Sequence, residues 1–120
     1  MNIWFGTNNN HKKIELDAIL GISTKIPSEE GLLFNPEETE TTFNGNALLK
    51  ARALKKLIIN MDDLVIADDS GLCVDALDGR PGVFSANYGE KDGQKLTSQQ
   101  QYSLLLDELG DNPNRNARFV

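Results

Sequence analysis

The sequence predicts an α/β fold, and three observations carry that prediction. Two short apolar runs, Ile3–Phe5 and Leu64–Ala67, end in polar loops in the manner of buried strands. Three other stretches place apolar residues at helical spacing. The Leu64–Ala67 run is apolar on both faces, which suits a central strand covered by helices on both sides.

In chain order, Ile3-Trp4-Phe5 stops at Gly6 and a cluster of asparagines, a first strand feeding a loop. From Lys12 to Leu20, the residues Ile14, Leu16, Ala18, Ile19 and Leu20 fall largely on one helical face, and Gly21 is a natural stop. Ser23 to Pro27 reads as a weak second strand. Residues 28–41 read as loop, with Pro27, Gly31 and Pro36 as punctuation. Ala47, Ala51, Leu54 and Ile58, with Leu57 beside them, then mark the clearest helix, while Lys50, Arg52, Lys55 and Lys56 take its other faces. Thr41 or Thr42 would cap its start. After Ala67, the glycines at 71, 79, 82 and 89 and Pro81 fit short extended pieces and tight turns rather than a long helix. Thr97 to Leu109 is a last helix, with Tyr102, Leu105, Leu106 and Leu109 as its stripe and Thr97 with Gln100 as a capping box. Ala117 to Val120 reads as the opening of another strand.

The 120 residues suit one domain, spanning 1–120. Apolar residues are 39% and charged residues 25%, a globular balance. Eighteen acids against 12 bases give a net charge of −6, which argues against a nucleic-acid binder held by bulk charge. A nucleotide substrate stays open if a few lysines are locally arranged and a metal cation assists. Cys73 is the only cysteine, so no intrachain disulfide and no CxxC motif is expected. Met1–Gly6 lacks the basic and apolar regions of a signal peptide, and no stretch approaches the roughly 18 apolar residues of a membrane span. A cytoplasmic protein without a membrane partner is the expectation.

Three sets of residues could carry chemistry. Thr7-Asn8-Asn9-Asn10-His11-Lys12 lies between a strand and a helix, where backbone N–H groups favour anions and Lys12 adds a full positive charge. It is not a Walker A loop, and taken alone it reads equally as an asparagine-rich helix cap. Asp68-Asp69-Ser70-Gly71 follows the apolar strand directly. Adjacent carboxylates there repel each other and call for a cation or hydrogen-bond donors, and open α/β sheets place ligands at that edge. Mg²⁺ suits such a place, since it takes one or two carboxylates, several waters and substrate phosphates. Glu37, Glu38 and Glu40 precede the helix whose Asn46 and Lys50, four apart, share a face. A glutamate there would supply a second protein oxygen to the metal while Lys50 reaches phosphate; without a ligand the set is a solvated acidic loop.

Together these boxes resemble the inosine triphosphatase and dITP/XTP pyrophosphatase family, which acts on non-standard purine nucleoside triphosphates. Thr7, Asn9 and Lys12 match its T-x-N-x-x-K pattern, and Glu37–Thr39, Thr42-Phe43, Asn46-Ala47 and Lys50-Ala51 are similar to its second box. Residues 67–89, ADDSGLCVDALDGRPGVFSANYG, match its third box almost position by position, and Arg115, Ala117, Arg118 and Phe119 resemble the fourth. The resemblance implies a mixed central sheet flanked by helices, a homodimer, and Mg²⁺-dependent hydrolysis of ITP, dITP or XTP to the monophosphate and pyrophosphate. It makes Asp69 the catalytic base and a metal contact, with Asp68 and one of Glu37 and Glu38 also at the metal. Thr7, Asn8, Asn9, Asn10, His11, Lys12, Lys50 and Ser70 become substrate contacts. Asn8 and His11 stand where the family usually has small residues, and His11 would either crowd or assist phosphate. Family members run further and carry the base-binding loop beyond the part matched here, so the resemblance is to their N-terminal part. One competing expectation is a truncated relative that binds nucleotide without turnover. Another is a phospho-receiver domain, although its acidic pair follows the first strand and not one that begins at residue 64.

Overall fold

The computed structural model describes residues 1–120. The chain has a mixed α/β fold and gathers into two compact units, Met1–Asp69 and Ser70–Val120.

In the first unit, β1 (Ile3–Phe5) pairs in parallel with β2 (Leu64–Ile66), in the register Ile3↔Leu64, Trp4↔Val65 and Phe5↔Ile66. A parallel pair needs a long crossover. Here it contains α1 (Asn10–Leu20), a 3₁₀ turn (Pro27–Glu30) and α2 (Phe43–Lys55). The other side of β1 is occupied at Lys25, whose N–H donates to Ile3 O (2.9 Å) and whose carbonyl accepts from Phe5 N–H (2.8 Å). The expected strand over Ser23–Pro27 is therefore a single bridge. Pro27 has no N–H for a ladder and starts the 3₁₀ turn instead. With Lys25 on one side and β2 on the other, β1 is the middle strand and β2 an edge. The expectation that Leu64–Ala67 is covered on both faces fails at Leu64, which is 52% exposed.

The core of this unit is Trp4, Phe34, Leu54 and Ile58, with Leu32, Ala53 and Val65 packed against it. Beside it a buried carboxylate has a donor on each oxygen: Asp63 accepts from Asn2 N–H (2.8 Å) and from the Trp4 indole N–H (2.9 Å). These two donors hold the Asp63 carboxyl below its ordinary range, the Asn2 amide first.

α1 starts two residues earlier than its apolar pattern predicts, because Asn9 caps it by accepting from His11 N–H and Lys12 N–H. Gly21 closes it with φ of +68°, a left-handed backbone that suits glycine. Its apolar stripe is not buried, and Ile14 and Ile19 face solvent. Polar contacts anchor it instead. Lys13 Nζ donates to Asp17 Oδ2 and to Thr24 O, both at 2.6 Å, and Asp17 Oδ1 accepts from the Thr24 N–H and hydroxyl. α2 is capped by Thr42, whose Oγ1 accepts from Gly45 N–H at 3.0 Å.

In the second unit, β3 (Leu72–Val74) pairs antiparallel with β4 (Ala117–Phe119), so the expected strand at the end of the sequence is present. Short 3₁₀ turns at Asp75–Leu77 and Gly82–Asn87 occupy the glycine-rich stretch. α3 (Ser98–Leu109) carries the expected capping box, with both the Thr97 and Gln100 halves formed. No helix of the chain is long and apolar enough to cross a membrane.

Candidate phosphate and cation site

Parallel pairing decides where the site lies. The carboxyl ends of β1 and β2 emerge at one edge, so the loops that follow them start side by side. Gly6 N–H donates to Ile66 O at 2.8 Å, and a Cβ on Gly6 would lie 3.3 Å from the Ala67 Cβ. The residues after Gly6 and after Ala67 share the space beyond.

From the first loop, Thr7 Oγ1 accepts from Asn9 N–H (3.1 Å), and Asn8 Nδ2 donates to the Phe34 carbonyl (2.8 Å). Asn9 is the helix cap already described, while Asn10 and His11 are exposed at the start of α1. Lys12 reaches across to the second loop and donates to both oxygens of Asp68, at 2.9 and 3.2 Å. A cavity of about 190 Å³ opens beside this pair, lined by Phe5, Leu16, Ile66, Lys12 and Asp68 among others. That is below the roughly 300–1,000 Å³ of pockets that enclose whole ligands.

From α2, Lys50 points at two carboxylates. Its Nζ stands 3.3 Å from Glu38 Oε1 and 3.8 Å from Asp69 Oδ1. The sequence left Glu37 and Glu38 as equals; in the structure Glu38 meets Lys50, and Glu37 lies in solvent. The two members of the acidic pair also separate in character. The Asp68 side chain is 40% exposed and paired with Lys12, whereas that of Asp69 is 9% exposed. Asp69 Oδ2 is buried with no hydrogen-bond partner.

Burial pushes the Asp69 carboxyl above its ordinary range. Lys50 pulls the other way, the Glu38 charge adds to the rise, and Asn46 and Lys12 oppose it more weakly. Burial wins because it is the strongest influence and the Glu38 charge offsets part of the pull of Lys50.

The structure thus brings Lys12, Lys50, Glu38, Asp68 and Asp69 to one region of the first unit. Ser70, half-buried, follows Asp69 and opens the second unit. Sequence reasoning passed over Asn46, which it placed on the Lys50 face without a role. Asn46 is 1% exposed, and its amide bonds to the backbone of Glu40. The available signal was a carboxamide on the face of α2 that carries Leu54, where a polar side chain must find partners.

The donor set fits a hard divalent cation. Asp69 offers a buried oxygen that lacks a donor, and Glu38 offers a second carboxylate around the same lysine. No third His, Cys, Asp or Glu joins them. Two carboxylates are the number Mg²⁺ takes when waters and phosphate oxygens complete its shell.

Comparison with known proteins agrees in sequence and in fold. A family model described as the Ham1 family matches residues 3–120. The dITP/XTP pyrophosphatase of Treponema denticola is 42% identical over 121 residues, covering 100% of this chain and 61% of that protein. The dITP/XTP pyrophosphatase of Leptospira interrogans is 44% identical over 118 residues, covering 96% of this chain and 57% of that protein. Among solved structures, the Ham1 protein of Staphylococcus aureus superposes with a TM-score of 0.81 at 37% identity, over 99% of this chain and 59% of that one. A HAM1 protein from Coxiella burnetii gives 0.83 at 32% identity, with the same two coverages of 99% and 59%. The chain spans 57–61% of the length of these relatives.

Proposed function

We propose a function from one premise: this chain belongs to the Ham1 family. It forms part of a single catalytic domain that hydrolyses non-standard purine nucleoside triphosphates (ITP, dITP, XTP) to the monophosphate and pyrophosphate, with Mg²⁺ as cofactor. The substrate class is supported by what the Treponema and Leptospira relatives are called. The observation that carries the reading is Asp69, a buried carboxylate with one unpartnered oxygen and a lysine beside it.

The chemistry follows from those neighbours. Water attacks the α-phosphorus, the bond from that phosphorus to the oxygen bridging the β-phosphorus breaks, and pyrophosphate leaves with the electron pair. The proton of the water passes to the Asp69 carboxylate and then to solvent. A free aspartate, with a pKa near 3.9, is a weak base, and burial of Asp69 strengthens it. Lys50 and Lys12 set positive charge against the phosphate oxygens as their charge grows. A Mg²⁺ ion held by Asp69 and Glu38 would add positive charge at the same oxygens. Asp68 and Glu37 contribute to cation binding through charge rather than contact. Thr7, Asn8, Asn9, Asn10 and His11 line the start of α1, where the helix N-terminus favours an anion, and Ser70, next in sequence to Asp69, is a further substrate contact in this reading. A second copy of the chain as partner and the cytoplasmic nucleotide pool as setting complete the reading.

The test is product analysis with ITP, dITP, XTP, ATP and GTP in the presence of Mg²⁺. Inorganic pyrophosphate should appear with the first three and not with the standard nucleotides. Release of orthophosphate in place of pyrophosphate would refute attack at the α-phosphorus. Binding of ITP without any product would reduce the function to nucleotide binding.

A further inference from the structure

Asn46 sits in the opening turns of α2 with its carboxamide turned to the acidic loop. Its Oδ1 accepts from Glu40 N–H at 3.0 Å, and its Nδ2 donates to Glu40 O at 3.3 Å. A carboxamide donates and accepts at once, so it grips the backbone of a single residue at both its N–H and its C=O. The residue before it completes the fit. A Cβ on Gly45 would stand 2.9 Å from the Glu40 Cβ and 2.9 Å from Thr42 Oγ1, so the loop lies flush against the helix only because that position is glycine. Glu38 is two residues upstream of the gripped Glu40, and Lys50 is one helical turn beyond Asn46 on the same face. The grip on Glu40 and the Glu38–Lys50 contact, at 3.3 Å, are therefore two ends of one short lever.

We infer that Asn46 is a positioning residue: its two bonds to the Glu40 backbone latch the 37–40 loop and hold the Glu38 carboxylate against Lys50, beside Asp69. The inference rests on the proposed reading of this region as a cation and polyphosphate site. Asn46 acts mainly through Glu38, and its amide also helps stabilise the charged Asp69 carboxylate. Residues that hold a metal-binding carboxylate in place commonly account for about 10–100-fold in metal affinity.

The test compares wild type, Asn46→Ala, Glu38→Gln and the double variant by amide hydrogen exchange and by Mn²⁺ binding, read by electron paramagnetic resonance. Asn46→Ala should speed exchange of the Glu40 amide and its neighbours over 37–42 while leaving β1 and β2 protected. It should also weaken Mn²⁺ binding about tenfold in the wild-type background and by less than about threefold in the Glu38→Gln background, where only its influence on Asp69 remains. Equal weakening in both backgrounds, or unchanged protection over 37–42, overturns the inference. Loosening spread evenly through the first unit also overturns it, since any buried polar residue would produce that. If Asn46→Ala does not fold, Asn46→Leu keeps most of the bulk and loses both bonds, and wild-type protection over 37–42 in that variant is equally fatal. A wild-type chain that neither binds Mn²⁺ nor releases pyrophosphate counts against the proposed function, and the exchange comparison then decides the latch by itself.

Discussion

The ammonium of Lys50 lies 3.8 Å from Asp69 Oδ1, yet the Asp69 carboxyl stays above its ordinary range. Burial outweighs a nearby positive charge, helped by the negative charge of Glu38, whose carboxylate stands 3.3 Å from the same ammonium. The balance leaves the Asp69 carboxyl less acidic than a free aspartate.

Removing the lysine should tip that balance. Lys50 lowers the Asp69 pKa, so Lys50→Met raises it further. A base works when deprotonated, and the acid limb of the kcat/KM profile should therefore move to higher pH. The ¹³C chemical shift of the Asp69 carboxyl, followed against pH, reads the same change directly. A limb or titration midpoint moving to lower pH would contradict the assignment.

Lys12 and Asp69 should fail in different kinetic terms. Lys12 is half-exposed and pairs with Asp68, so it is suited to meeting phosphate, and Lys12→Ala should raise KM by about 10–100-fold, the worth of a charged hydrogen bond. Asp69→Asn removes the proton acceptor with little change in size and should lower kcat by about 10²–10⁴-fold. Steady-state kinetics with ITP separates the two, and equal losses in one term would refute the division.

Acid should loosen the attachment of α1. Its bond from Lys13, then those from Thr24, hold Asp17 at a pKa of about 2, below the ordinary 3.8. A depressed carboxyl stabilises the fold in full above its unfolded value and loses that contribution as pH falls through the folded one. Chemical denaturation between pH 5 and roughly pH 2 should show this loss in wild type and a flatter profile in Asp17→Asn. Identical profiles would remove Asp17 from the account.

The core makes a separate claim. Leu54 is 0% exposed, and Leu54→Ala should cost about 2–5 kcal/mol in unfolding free energy. Ile59, 97% exposed, serves as the control: Ile59→Ser should change stability by less than about 0.5 kcal/mol. Urea titrations of both variants give the comparison.

Much of this molecule is legible in its residues because the causes are local. The Thr97–Gln100 capping box, the Thr42 cap, the stop at Gly21 and the apolar runs at β1 and β2 each depend on neighbours a few positions away. The candidate chemistry was legible for the same reason, as an acidic pair directly after a strand and a lysine at helical spacing from an asparagine. Local reasoning went astray where partners are distant. Leu64 reads as buried but lies on an edge strand, and the stripe of α1 reads as a core face although polar bonds to Asp17 and Thr24 hold the helix.

Composition and short-range pattern were thus enough for the α/β class, the order of elements, and the residue types able to meet a cation and phosphates. Which acid stands beside which base was decided by folding. Lys12 finds Asp68 across 56 residues, Lys50 finds Glu38 rather than Glu37, and Asn46 finds the backbone of Glu40. Hydrogen bonds and close ion pairs need their atoms within about 3–4 Å, and distances that short between remote residues are set by how β1, β2 and α2 pack, which no spacing along the chain encodes.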